Sequence, residues 1–366
     1  MKIDITNIAT IVMDIKNHAK NNAVSIAIAE NTAIEINDLI LALNKANITF
    51  MGAVFPKVVH NNTILEKGIV LNTLNNLENL FLIENISKKN HKIPPVVFNE
   101  SENYSLITYV DGLTANISHY LEKLYENYGM KTNYFGGGAG SLTLQQKPCV
   151  FNKDGFFEDA AVLSISKVTS RIGVKHGWKK VDGPFIITKS EGNIIQEINW
   201  ETPFEIYKNV VEKHAKKQFT DHNFFDLAKG YPFGILKDDA ECIVRDPIAV
   251  NDNGELVCVG EIEENSLVDI LNGNTKTLID AAKNAALESI KQAVNPNKAI
   301  LIDCISRVLF LEEEFETELK EITKTLKNAY PNIHISGALT LGEISSYGEG
   351  FLELYNKTTV VSLFES

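Results

Sequence analysis

Short apolar runs, many of them β-branched, alternate along the chain with longer segments whose apolar residues recur at helical spacing. "AVSIAIAE" reads as a buried strand, and the "NTAIEINDLILALNKAN" that follows carries Ile34, Leu39, Leu43 and Ala46 near one helical face. "ITFMGAVF" and "KGIVLNTL" predict further strands, whereas "NISKKNHKIPPVVFNESEN", polar with Pro94 and Pro95 at its centre, predicts a surface connection. The region between "IGVKH" and "QEINW" alternates β-like runs with the turn signals Asp182-Gly183 and Gly192-Asn193, which predicts an antiparallel meander. After it come a helix with Pro203 in its first turn, a hairpin around Asn251 to Gly254, and an Ala-rich helix in "TKTLIDAAKNAALESIKQA".

Two stretches share one fuller order of elements. In the first, "YSLITYVDGL" is a strand, "NISHYLEKLYENYG" an amphipathic helix stopped by Gly129, "TNYFGGGAGSLTL" a second strand, and the following residues a hairpin turning at Asn152 to Gly155. In the second, "KAILIDCISR" is a strand, "EEEFETELKEITKTLKNAYP" a helix, "NIHISGALTLGEIS" a strand, and "GEGFLELYNKTTVVSLF" a turn and final strand. Both place glycines in the second strand, Gly136 to Gly140 in one and Gly337 and Gly342 in the other. This predicts an internal repeat, with 104–166 the counterpart of 299–364 and the glycine segments facing each other across a pseudo-twofold axis. The predicted fold is α+β: two related halves, residues 1–201 and 202–366, packed face to face, with large mixed or antiparallel sheets covered by helices. The Glu and Lys of "EEEFETELKE" are spaced as a solvated helix face.

Composition narrows the function. A chain of 366 residues with 44% hydrophobic content can bury a large core. A net charge of −12 without any basic block argues against nucleic acid or an anionic membrane as partner. No apolar run is long enough to span a bilayer and the N-terminus lacks a secretory pattern, so a cytoplasmic location is expected. The four cysteines, Cys149, Cys242, Cys258 and Cys304, are scattered among apolar neighbours. They read as buried thiols, and neither a metal site nor a cofactor is expected.

The glycine run of "NYFGGGAGSL" fails the nucleotide tests. Gly136 and Gly138 fit the first and third positions of a dinucleotide fingerprint, but Ser141 stands at the sixth and no helix follows to receive a pyrophosphate. No Lys-Ser/Thr pair completes a Walker loop. What remains is close approach, either of another backbone or of a ligand.

"YFGGGAG", "DGFFEDAAVLSI" and "KHGWKKVDGPFIITKSEGNIIQEINWETPFEIY" resemble the N-terminal half of a FIST domain protein, and "RDPIAVNDNGELVCVGEIEENSLVDIL", "LIDCISR" and "ISGALTLGEI" resemble its C-terminal half. The resemblance implies a sensory, ligand-binding module of signal transduction, with small molecules such as amino acids as ligands. It also implies a separate output partner, such as a histidine kinase, chemoreceptor or cyclase, because no output module follows in this chain. It supplies no catalytic motif.

Ligand residues are therefore sought among polar side chains embedded in apolar strands. The glycines Gly136, Gly137, Gly138 and Gly342 are candidates for a pocket floor, and His176 with Trp178 for a hydrogen-bonding ring and an aromatic wall. Arg307, beside Cys304, is placed to clamp a carboxylate, Glu343 to accept an amino group, and Arg245 completes the set. Two other readings stand beside the sensor. Cys304 would be a hydrolase or transferase nucleophile if His176 or His334 approached it, and a ligand-free scaffold would act through protein contacts alone.

Overall fold

The computed structural model describes all residues except 6, 221, 238–240, 292, 347–351 and 366, so part of the stretch predicted between Glu343 and the final strand lies outside the described residues. The fold is α+β, with three six-stranded mixed sheets and one closed barrel.

Each sheet is built on a parallel strand pair joined by helix. The pairs are Ala23–Ala29 with Phe50–Phe55 across helix Ile36–Lys45, and Tyr104–Asp111 with Thr132–Ala139 across helix Ile117–Tyr128. The third is Pro296–Cys304 with His334–Thr340 across helices Ile305–Leu311 and Phe315–Ala329. The first strand of each pair also takes an antiparallel return strand: Ile69–Leu74, Ala160–Ser166 and Thr359–Glu365 respectively. The second strand takes a strand from another part of the chain. Val150–Asn152 lies beside Phe50–Phe55, Glu343–Ser346 beside Thr132–Ala139, and Lys57–His60 beside His334–Thr340. The hairpin that follows each pair is thus donated to a different sheet, in a cycle. The same order of elements occurs in all three sheets, one more than the pattern along the sequence predicts, and the additional copy is the stretch 23–74.

The inner faces of the three sheets meet in one apolar core that includes Ala27, Met51 and Phe55 from the first, Ile107, Tyr109 and Phe135 from the second, and Ile300, Ile302 and Val360 from the third. Outer faces are covered by helix. In Ala23–Ala29, Val24, Ile26 and Ile28 face helices Ile8–Ala19 and Ile36–Lys45 while Ala23, Ala27 and Ala29 face the core, which is why this strand reads as a continuous apolar run. Helix Ile117–Tyr128 buries Ile117, Tyr120, Leu121, Leu124 and Tyr128, the stripe expected of its spacing, and ends at Gly129 with φ 59°. The Ala-rich helix Thr275–Ile290 lies against strand Ser170–Lys175 at backbone distance, since a Cβ on Gly173 would stand 1.9 Å from the Ala285 carbonyl oxygen.

The barrel comprises Lys179–Glu191, Ile194–Ile198, Leu256–Val259, Ile243–Val250, Phe233–Ile235 and Leu267–Asn272. Ile187, Ile195, Phe233 and Ile270 fill it and helix Pro203–Ala215 closes against it through Tyr207 and Val211. The hairpin at Gly192-Asn193 forms as expected. Asp182-Gly183 is not a turn, because it lies inside one long strand whose register shifts on both sides of Asp182 as the strand bends around the barrel.

Candidate functional site

Tight backbone approach sets the geometry where the sheets converge. Gly52, Gly136 and Gly337 stand opposite Ile26, Thr108 and Leu301 in the three parallel pairs, and a Cβ on them would come 2.7, 1.8 and 1.9 Å from those residues' carbonyl oxygens. The glycine segments of the second and third units meet directly. Gly138 N–H donates to Gly342 O at 2.8 Å, Leu341 N–H donates to Gly138 O at 2.9 Å, and Glu343 and Ile344 pair with Gly137 and Gly136. The space above Gly137 is taken by Thr340, Gly342 and Ile302, and that above Gly138 by Leu341 and Gly112. Gly136, Gly137, Gly138 and Gly342 thus form a packed strand contact, with protein atoms where a ligand would need room.

At the end of strand Pro296–Cys304 this contact meets a fully buried ionic cluster. Arg307 Nε donates to Glu318 Oε1 at 3.0 Å and Nη2 donates to Glu318 Oε2 and, at 3.0 Å, to Leu278 O. Nη1 donates to His176 O at 2.7 Å and Lys357 O at 3.2 Å. Every guanidinium N–H is spent on a protein acceptor, which leaves none to clamp a ligand carboxylate. Glu343 stands apart from Arg307 and is held by Thr340 Oγ1 at 3.0 Å, Thr358 N at 3.2 Å and the Cys304 thiol. Arg307 and Glu343 therefore belong to one cluster but do not form the zwitterion clamp that the sequence suggests.

The cluster holds three carboxyls around one guanidinium, and burial opposes ionisation of all of them. Asp303 is pushed far up, first by burial and then by Glu318, and Glu343 first by burial and then by Asp303. Burial lifts Glu318 as well, against the pull of Arg307. Arg307 grips Glu318 with two nitrogens and stands 3.4 Å by its Nε from Asp303, which also hydrogen-bonds Glu318. Glu343→Gln keeps the shape but turns an amide NH2 toward one of the donors Thr340 Oγ1 or Thr358 N, so it is expected to cost about 1–3 kcal/mol. The sign of the pH effect follows. A carboxyl raised in the folded state weakens folding as pH climbs from the ordinary carboxylate range toward its folded value, so urea titrations should show a shallower decline for the Gln variant.

His176 and Trp178 join the same cluster. His176 Nδ1 accepts from Trp178 N at 2.9 Å, so the ring proton sits on Nε2, which faces Cys242 Sγ at 3.3 Å and Glu241 Oε1 at 3.3 Å. Trp178 Nε1 donates to Lys357 O at 3.3 Å, and the Lys357 ammonium lies 5.1 Å above the indole and 3.0 Å from Asp246 Oδ2. Burial lowers His176 to about 4 and raises Cys242 to about 12, the reverse of a thiolate-imidazolium pair. Cys304 is buried, with its thiol also pushed up by burial and by Glu343, and the imidazole of His176 is turned to Cys242 instead. Arg245 lies in an adjoining cluster. Its Nε donates to Glu261 O at 2.8 Å and its Nη1 to Leu354 O at 2.9 Å, and it reaches Asn356 Oδ1 at 3.5 Å.

Asp303, Glu318, Asp246 and Lys357 escape the sequence reading. The spacing of "EEEFETELKE" predicts a solvated face for Glu318, but it is 0% exposed: it falls on the buried stripe Phe315, Leu319, Ile322, Leu326, and that spacing is the signal that marks it. A second region lies at the opposite ends of the first strands. There a polar surface cleft of about 200 Å³ is lined by Asn76, Ser101, Glu102, Asn103, Lys167 and Glu365, among others, and the smaller cavity beside it shares Val168. Among the described residues, no three His, Cys, Asp or Glu side chains are grouped to hold a metal ion.

A family model described as FIST N domain matches residues 5–201, and one described as FIST C domain matches residues 203–346. The chain belongs to the FIST family. FIST domains are sensory domains of signal transduction, and not a known enzyme family. A comparison with curated proteins finds no match. The FIST N and FIST C segments interlock: Thr132–Ala139 of the first pairs with Glu343–Ser346 of the second, and the barrel draws strands from both. Strand Thr359–Glu365, beyond the FIST C match, lies inside the third sheet between Ser170–Lys175 and Pro296–Cys304. No helix among the described residues is long and apolar enough to cross a membrane.

Proposed function

We propose that this FIST chain is a sensory module that binds a small metabolite of amino-acid size and passes the signal to a separate output protein, such as a histidine kinase, chemoreceptor or cyclase. The observation that carries this reading is the cleft of about 200 Å³, whose lining offers amides, hydroxyls and both signs of charge through Lys167, Glu102 and Glu365. Its volume suits a molecule smaller than the drug-sized ligands that occupy cavities of about 300–1,000 Å³. In this reading the buried Arg307 cluster is the rigid frame that joins barrel to sheets, and ligand contact falls to the cleft. Lys167 and Glu102 are 3.4 Å apart and about 40% exposed, so their mutual attraction is weak and gives way readily to a ligand's own charges.

Thermal unfolding in the presence of amino acids, organic acids and amines tests the reading. A ligand at about a hundred times its Kd stabilises the folded state by about 2.7 kcal/mol, a clear rise in Tm. A panel that moves Tm for no compound overturns the proposal, as does a shift that survives Lys167→Ala and Glu102→Ala together without loss of affinity.

A further inference from the structure

Beneath the cleft, all three sheets contribute to one small cavity of about 10 Å³, lined by Leu74 from the first, Ser105, Ile107 and Ser166 from the second, and Lys298 and Phe364 from the third. Among these mostly apolar walls Lys298 is an anomaly. Its ammonium donates to the Thr73 carbonyl and lies 5.1 Å from the Phe364 ring centroid, and burial is what disturbs it. The titratable groups that couple to it, the Met1 amino group and His18, are bases whose charged forms burial disfavours, and neither supplies a counter-ion. A second group there is also unmatched: the Ser166 hydroxyl, 94% buried by its 6% exposure, has no hydrogen-bond partner. A half-buried cation with a single neutral acceptor and a buried, orphaned hydroxyl both cost free energy as they stand, and one group satisfies both.

We infer that Lys298 and Ser166 form an anion subsite that receives the carboxylate of a small ligand whose polar remainder lies in the adjoining cleft. The inference rests on the sensor reading and narrows it to carboxylate-bearing ligands. A carboxylate supplies acceptors to the ammonium and to Ser166 Oγ–H at once, and the Lys298 stem is the movable wall, since its ammonium need leave only the Thr73 carbonyl to meet the anion. The void itself has room for about one water, so what enters is the end group of a ligand rather than the whole molecule. Burial lowers the amine to about 8, so it is charged at neutral pH and loses its proton just above it.

Calorimetric titration of the whole chain with acetate, pyruvate, glycine and succinate, and with the matching amides acetamide and glycinamide, tests the assignment. The expected result is binding of at least one carboxylate but not its amide. Affinity should fall at least about tenfold in Lys298→Met and less in Ser166→Ala. Affinity should also fall by about tenfold per pH unit above 8 in the wild type and show no such slope in Lys298→Met. Equal binding by wild type and Lys298→Met, or of acid and amide alike, overturns the subsite while leaving the sensor reading in place. If neither these compounds nor the wider panel of amines and neutral metabolites binds, both fall. Should Lys298→Met fail to fold, an NMR titration of the 13C-methylated Lys298 amine decides the matter, because a bound carboxylate must raise its apparent pKa and an indifferent one leaves it unmoved.

Discussion

Arg307→Met should lower the free energy of unfolding by about 3–5 kcal/mol, read from urea titrations. The guanidinium is 0% exposed and joins Glu318 on helix Phe315–Ala329 to the carbonyls of His176, Leu278 and Lys357, so one substitution leaves a buried carboxylate and three carbonyls without their donors. The cost comes chiefly from the stranded Glu318 charge, which gives the control. Removing both charges in Arg307→Met with Glu318→Leu should recover a large part of the loss, because an apolar pair of similar volume escapes the desolvation penalty that an unpaired ion carries. Glu318→Gln alone should resemble Arg307→Met, because it breaks the same buried pair, whereas Glu343→Gln should cost less, since Glu343 is held by Thr340 and Thr358 and not by Arg307. If Arg307→Met unfolds at the wild-type urea concentration, the cluster does not tie the barrel to the sheets.

Gly337→Ala is expected to cost about 3 kcal/mol or more, and Gly136→Ala the same or more. The added methyl would sit 1.9 Å from Leu301 O in the first case and 1.8 Å from Thr108 O in the second, where Gly136 has φ 155° as well. Neither neighbour is a flexible side-chain end. Both are backbone of a central strand held on each side by a ladder, so relief requires parting the parallel pair itself. Gly192→Ala is the control: φ is 57° and nothing lies within 4 Å, so only the left-handed conformation is penalised, by about 1–2 kcal/mol. Equal losses at Gly337 and Gly192 would show that close strand approach is not what the glycine demands.

Much of the local structure follows from residue order alone. Tyr104–Asp111, Thr132–Ala139, Pro296–Cys304 and His334–Thr340 fall where the apolar runs place them, and helix Ile117–Tyr128 falls where the spacing of its buried stripe places it, because each is decided by which side chains leave water within a few residues of one another. The glycines were legible as sites of close approach, and Gly136 and Gly337 do occupy matching positions. Their third counterpart, Gly52, was not, since a single glycine in "ITFMGAVF" looks like any strand glycine until its partner Ile26 is known.

Residue order was enough for the class of fold, for the succession of strands and helices, and for the presence of polar residues inside apolar strands that had to find partners within the protein. Which groups those partners are depends on how the sheets and helices assemble. Arg307 takes Glu318 from the next helix and not Glu343, His176 faces Cys242 and not Cys304, and Lys298 lines one cavity with an orphaned serine from another sheet. These partners lie from 11 to 66 positions apart in the hydrogen-bonded pairs and farther still across the cavity, and they stay hidden because a periodic pattern records which face a side chain occupies, not which element is laid against it.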